Sequence, residues 1–188
     1  MKRLLIISGL LFYSLILNAQ KDFEKENITI LTDSELIIAG KTNVNKFDCK
    51  FDIDLINHER IIKYIEDDGF INFHNLQLNL LTKGFDCGHK RMNSDFQDLL
   101  MCEKYPEIVI ELDRIEFVSR EFVKAFITVH LAGMTNSYNL PVQISNDRFS
   151  GKFEMNIRDF GLEPPTKALG LIEVDEEIEV QFNLKISR

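Results

Sequence analysis

A chain of 188 residues is the size of one ordinary domain. Its 22 basic and 30 acidic side chains give a net charge of −8. Such a surface repels phosphate backbones and anionic headgroups, which argues against nucleic acid and bilayer-surface binding. Fifteen Phe and no Trp supply the large apolar surfaces, and three Cys leave one unpaired in any oxidising compartment where the other two join.

The first twenty residues, MKRLLIISGLLFYSLILNAQ, have the layout of a secretory signal peptide. Lys2 and Arg3 form a positive start, Leu4 to Leu17 is mainly apolar, and Asn18-Ala19-Gln20 is a small-residue exit. The run is short for a bilayer span, and no later segment is apolar enough to be one. Cleavage leaves a domain over residues 21–188, periplasmic or secreted, with a charge of about −10.

Period-two alternation dominates the rest of the chain. NITIL and ELIIAG are short strand-like segments. In NKFDCKFDIDL, Phe47, Cys49, Phe51, Ile53 and Leu55 share one face, and Asp48, Lys50, Asp52 and Asp54 the other. HERIIKYIEDD, residues 58–68, fits a helical turn or a hairpin arm equally well. HNLQLNLL groups Leu76, Leu78 and Leu80. Within NSDFQDLLMCEKYP, Ser94 and Gln97 read as a capping box, and Phe96, Leu99 and Leu100 recur at helical spacing. A helix of about ten residues is expected there, ended by Tyr105-Pro106.

EIVIEL then groups Ile108, Ile110 and Leu112. VKAFITVHL sets Val123, Ala125, Ile127, Val129 and Leu131 against Phe122 and Phe126. SYNLPVQIS gives Tyr138, Leu140, Val142 and Ile144, and RFSGKFEMNI gives Phe149, Gly151, Phe153, Met155 and Ile157. EEIEVQFNLKI closes the series with Ile178, Val180, Phe182, Leu184 and Ile186. Asp68-Gly69, Gly133 and Asn146-Asp147 are turn signals. About eight or nine strands without helical crossovers imply an all-β fold, an antiparallel sandwich or an up-and-down barrel.

Cys87-Gly88-His89 is the most reactive-looking spacing. Zinc needs four ligands, and His58, His74 and His130 supply no second close pair. A catalytic thiol needs a base in reach, which adjacency in sequence does not provide. No phosphate loop, serine motif or spaced carboxylate pair occurs, so no catalytic or metal-ligating residue is assigned and the chain is not read as an enzyme. Cys49 and Cys87 are either a disulfide closing a loop of about 38 residues, worth roughly 3–4 kcal/mol, or two buried thiols. Cys102 reads as a small buried hydrophobe, Arg158 and Asp159 as a barrel-mouth ion pair or turn contacts, and Glu173 to Glu179 as a solvated hairpin.

Three blocks resemble the YceI-like family of exported, lipocalin-like, polyisoprenoid-binding proteins: MNSDFQDLLMCEKYPEIVIEL, VHLAGMTNSYNLPVQI and NIRDFGLEPPTKALGLIEVDEEIEVQFNL. GKTNVNKFDCKF resembles the start of its barrel less distinctively. The resemblance implies an antiparallel lipocalin-like barrel of about eight strands with one short helix. Its interior would accept a long isoprenoid chain such as a quinone or prenyl-phosphate tail. The residues expected to line it are Phe47, Phe51, Leu76, Leu78, Leu80, Ile110, Val129, Leu131, Phe153, Met155, Val180 and Phe182. The same residues would otherwise fill a closed core. The expected function is an exported carrier or sequestering protein whose partner is an apolar lipid, with no cofactor beyond that lipid or quinone; a homodimer is left open. A ligand-free secreted structural or interaction module is the alternative.

Overall fold

The computed structural model describes residues 22–167 and 172–188. The expected signal peptide lies outside the described residues. Strands β1 (Glu24–Ile30), β2 (Glu35–Lys41), β3 (Lys46–Phe51), β4 (Glu59–Asp67), β5 (Phe70–Phe73), β6 (Gln77–Leu81) and β7 (Phe85–Asp86) lead to helix α1 (Lys90–Leu99). After it come β8 (Glu107–Phe117), β9 (Phe122–Leu131), β10 (Met134–Ser145), β11 (Arg148–Asn156), β12 (Thr166–Lys167), β13 (Ile172–Glu173) and β14 (Glu177–Ser187).

Eight strands make an antiparallel ring in the order β1-β4-β5-β8-β9-β10-β11-β14, closed where β14 pairs with β1. Shorter strands lengthen its wall: β2 continues β1 along β14, β3 pairs with β2, β7 with β3, and β6 lies along β8 beside β5. The architecture is therefore an all-β barrel with one helix. Opposed residues of an antiparallel pair face the same way. The register links Leu36, Phe182, Gly151, Val142 and Val123 into one inward layer across five strands. The alternation of β9 matches this, with Val123, Ala125, Ile127, Val129 and Leu131 all buried.

Local chemistry departs from the sequence reading at β3 and at the helix, and decides between the two readings of residues 58–68. The run from Phe47 stops as a strand at Phe51, because the Asp52 carboxylate accepts the Asp54 N–H and turns Ile53–Leu55 into a 3-10 turn. Ile53 stays buried while Leu55 is exposed. Residues 59–67 are a hairpin arm, joined to β5 through Asp68 and Gly69, both at positive φ. The helix begins four residues before Ser94: His89 is its N-cap, with Nδ1 accepting the Arg91 N–H at 3.2 Å. Asn93 turns back instead, accepting the Cys87 N–H and donating to Asp86. The helix ends at Leu99 rather than against Pro106, because Met101 takes a left-handed conformation and the Cys102 N–H returns to the Gln97 carbonyl.

α1 closes one end of the barrel. Phe96 is buried at 5.4 Å from the ring of Phe85, which meets Phe51 edge-on at 5.0 Å. The wall forks between β10 and β11. β10 pairs with β9 from Met134 to Gln143, yet with β11 only over Val142–Ser145. β11 meanwhile follows β14 along its whole length. Beyond Pro141 and Lys152 the two strands separate, and Tyr138, Phe153 and Phe160 fill the space between them. Asn136 Nδ2 spans the open end, donating to the Asp159 carbonyl at 2.8 Å.

Candidate binding interior

Inside the half of the barrel beneath α1 lies a cavity of about 60 Å³. β2, β3, β6, α1, β8, β9, β11 and β14 all contribute to its wall. Apolar side chains build that wall because each strand turns its alternate apolar positions inward, and α1 adds Phe96, Leu99 and Leu100 from one helical face. Asp175 is the one charged residue among the described residues of the lining. Its carboxylate is met by Lys41 at 3.2 Å and by the Glu177 N–H. These contacts, the Glu177 N–H first, hold its pKa below the ordinary carboxylate value.

Eight of the twelve residues expected to line a ligand space do line this cavity: Phe47, Leu80, Ile110, Val129, Leu131, Phe153, Met155 and Val180. Phe51 lies deeper, almost fully buried against Phe85. Leu78 packs on the core from β6, and Leu76 is half-buried just before that strand. Phe182 is turned across Gly151 and borders a separate shallow depression with Phe122, Pro141 and Lys152. Leu36, Ile38, Phe85, Ile157 and Ile178 also reach the cavity. Alternation places Ile157 and Ile178 on inward faces; Leu36 and Ile38 lie in a segment read only as strand-like, and Phe85, in the two-residue β7, gives no such signal.

Tyr138 is a functional candidate that its strand pattern alone did not single out. Its ring lies 5.6 Å from Phe153, a cavity-lining residue, and 6.4 Å from Phe160. Its hydroxyl is buried and has no hydrogen-bond partner among the described residues. Burial first, and then the Asp159 carboxylate, push its pKa above the ordinary phenol value.

Cys49 and Cys87 are joined as a disulfide across 38 residues, tying β3 to the residue after β7. Cys102 is a buried free thiol. With Cys87 bonded and His89 capping α1, neither side chain is arranged as a thiol and base pair. Among the described residues no cluster of three or more His, Cys, Asp or Glu could share a metal ion, and no helix is long and apolar enough to cross a membrane. Arg158 pairs with Glu176, not with Asp159. The acidic run after Ile172 is not a free hairpin: Val174 bridges to Thr42, and Glu177 already belongs to β14.

No curated protein matches the chain. Among solved structures, BcnA of Burkholderia cenocepacia superposes with a TM-score of 0.64 at 16% identity, covering 82% of this chain and 96% of that one. A polyisoprenoid binding domain from Saccharophagus degradans, implicated in plant cell wall breakdown, gives 0.55 at 15% identity, covering 85% and 97%. A Campylobacter jejuni YCEI protein gives 0.53 at 17%, covering 68% and 80%. These likenesses establish the shared barrel. The YceI-like domain profile matches residues 38–186, a span holding the bridged cysteines, α1, the fork and all twelve expected lining residues. The chain belongs to the YceI-like domain family.

Proposed function

We propose that this protein is an exported, non-catalytic binder that takes the apolar chain of an isoprenoid-like lipid into its barrel, as a carrier or sequestering protein. The observation that carries this reading is an apolar space beneath α1 whose described lining carries one carboxylate, Asp175, at its edge. Membership of the YceI-like family supports it. So does the Saccharophagus degradans barrel, which is described as a polyisoprenoid binding domain.

The resting cavity, at about 60 Å³, is smaller than the roughly 150 Å³ that holds one benzene. Uptake therefore requires lining side chains to move. Leu99, Leu100 and Met155 are suited to this, being flexible and apolar, and Met adapts to irregular gaps. Each methylene then buried contributes about 0.8 kcal/mol, so a few isoprene units offset the rearrangement.

The same small volume favours a second reading, a filled barrel that binds through its surface. Phe117, Val118 and Phe122, all exposed around the β8–β9 turn, are the patch it would use. Native mass spectrometry of the protein from its natural envelope, and after incubation with farnesylacetone, separates the two. A bound prenyl mass supports the carrier. Bare protein in both preparations supports the filled barrel.

A further inference from the structure

Buried polar groups are almost always hydrogen-bonded, so the bare hydroxyl of Tyr138 calls for an explanation. It sits where the wall forks, on β10 just before Pro141, in the segment that has left β11. There the backbone ladder does not continue, and the ring of Tyr138 separates Phe153 of the cavity wall from Phe160. A phenylalanine would fill the same space without leaving an oxygen unsatisfied. The oxygen therefore costs stability in the empty protein.

We propose that the fork between β10 and β11 is a head-group site, in which Tyr138 Oη hydrogen-bonds the uncharged polar head of a lipid whose chain occupies the adjoining cavity. This rests on the interior-binding reading above and narrows it to one class of ligand, a prenyl chain ending in a carbonyl or hydroxyl. Charge at this end selects against a phosphate. The Asp159 carboxylate acts on the Tyr138 hydroxyl. Asp175 edges the cavity, while Lys41 and Arg158 are engaged by Asp175 and Glu176. A phosphate head would meet carboxylates and cations that already have partners.

The test compares three probes with the same farnesyl-type chain: farnesylacetone, farnesyl phosphate and the hydrocarbon farnesane. Dissociation constants come from native mass-spectrometric titration of the wild type and of Tyr138→Phe. The wild type is expected to bind the ketone more tightly than the phosphate. Tyr138→Phe should weaken the ketone about 2- to 12-fold, the worth of one uncharged hydrogen bond, and leave farnesane unchanged. Its melting temperature should equal or exceed that of the wild type, since an unpaired buried hydroxyl is gone. A second measurement needs no variant: the carbon-13 resonance of a labelled farnesylacetone carbonyl in the complex should lie downfield of its position in hexane, where no donor is present. Equal ketone affinity in both proteins, a phosphate bound as tightly as the ketone, or a bound carbonyl resonance at its hexane position overturns the head-group site. Farnesane binding that persists in any of those cases leaves the interior-binding reading standing. Failure of all three probes on both proteins removes both.

Discussion

Phe47 and Gly40 stand opposite each other on β3 and β2, and their contact shapes part of the cavity wall. The tip of the Phe47 ring lies over Gly40, so that a Cβ there would overlap it. Gly151 is covered in the same way by Phe182, and a Cβ would come within 2.8 Å of both that ring and the Pro141 carbonyl oxygen. An aromatic ring laid across a strand glycine restores the packing that the missing side chain forfeits. Gly40→Ala should therefore push the Phe47 ring toward the cavity and destabilise the fold by about 1–3 kcal/mol, the usual cost of overpacking. A urea midpoint lowered with an unchanged slope is the expected signature; an unshifted midpoint would show that the ring has room to retreat. Alternation placed Phe47, Gly151 and Phe182 on inward faces, but the glycine under each ring depends on cross-strand register, which no single strand carries. The bare hydroxyl of Tyr138 was hidden for a similar reason. A sequence shows that position 138 faces inward, not that β11 has departed from it.

Elements with strict alternation and clear turn residues were legible: β9, β10, β11 and β14 lie where their patterns put them. The less legible ones are those in which a side chain competes with the backbone. Asp52 ends β3 early, and His89 caps a helix for which Ser94 and Gln97 offered a plausible later start. The segment around Asp175 belongs to this second group. Its acidic composition suggested free solvent exposure, yet Val174 bridges Thr42 and the Asp175 N–H donates to the Lys41 carbonyl, holding the strap against the start of the barrel. Because the folded state lowers the pKa of Asp175, this carboxylate stabilises the fold above its unfolded value and ceases to do so as pH falls through the lower folded one. Asp175→Asn should thus be less stable than the wild type at pH near 7, and the gap should close below about pH 4, where unperturbed aspartate takes up its proton. Urea unfolding of both proteins across that range measures it. A gap independent of pH would mean that the amide loses something other than charge. The group is only partly buried, so the effect should be modest and reduced by salt.

At the scale of the whole barrel, closure is uneven. β8, β9 and β10 are long neighbours, as are β11 and β14, whereas β10 meets β11 over four residues only and the ring is completed by only two residue pairs between β1 and β14 and prolonged by β2 on the same strand. On the far side of β3, β7 adds only two more pairs, Lys50 with Asp86 and Phe51 with Phe85. That short seam stands beside the cavity, where Phe85 is part of the wall, and directly before α1, which covers it. A two-residue strand contributes few hydrogen bonds, so the Cys49–Cys87 bridge is the strongest constraint on this seam. The loop it closes contains β4, β5 and β6, and joining its ends removes conformational freedom from the unfolded chain. Replacing both cysteines by serine should cost about 3–4 kcal/mol on the chain-entropy argument, with a further loss from placing hydroxyls where buried sulfur had packed. Denaturant unfolding of the oxidised wild type, the reduced wild type and the double variant separates those contributions. Reduction alone breaks the covalent link while keeping the thiols, whereas the variant changes the packing as well. If reduction moves the midpoint and the variant moves it further, the bridge acts as a staple in a packed seam. If reduction leaves the midpoint unchanged, the seam is held by Phe51, Phe85 and Phe96 alone, and the aromatic contacts between them become the feature that keeps this end of the barrel shut.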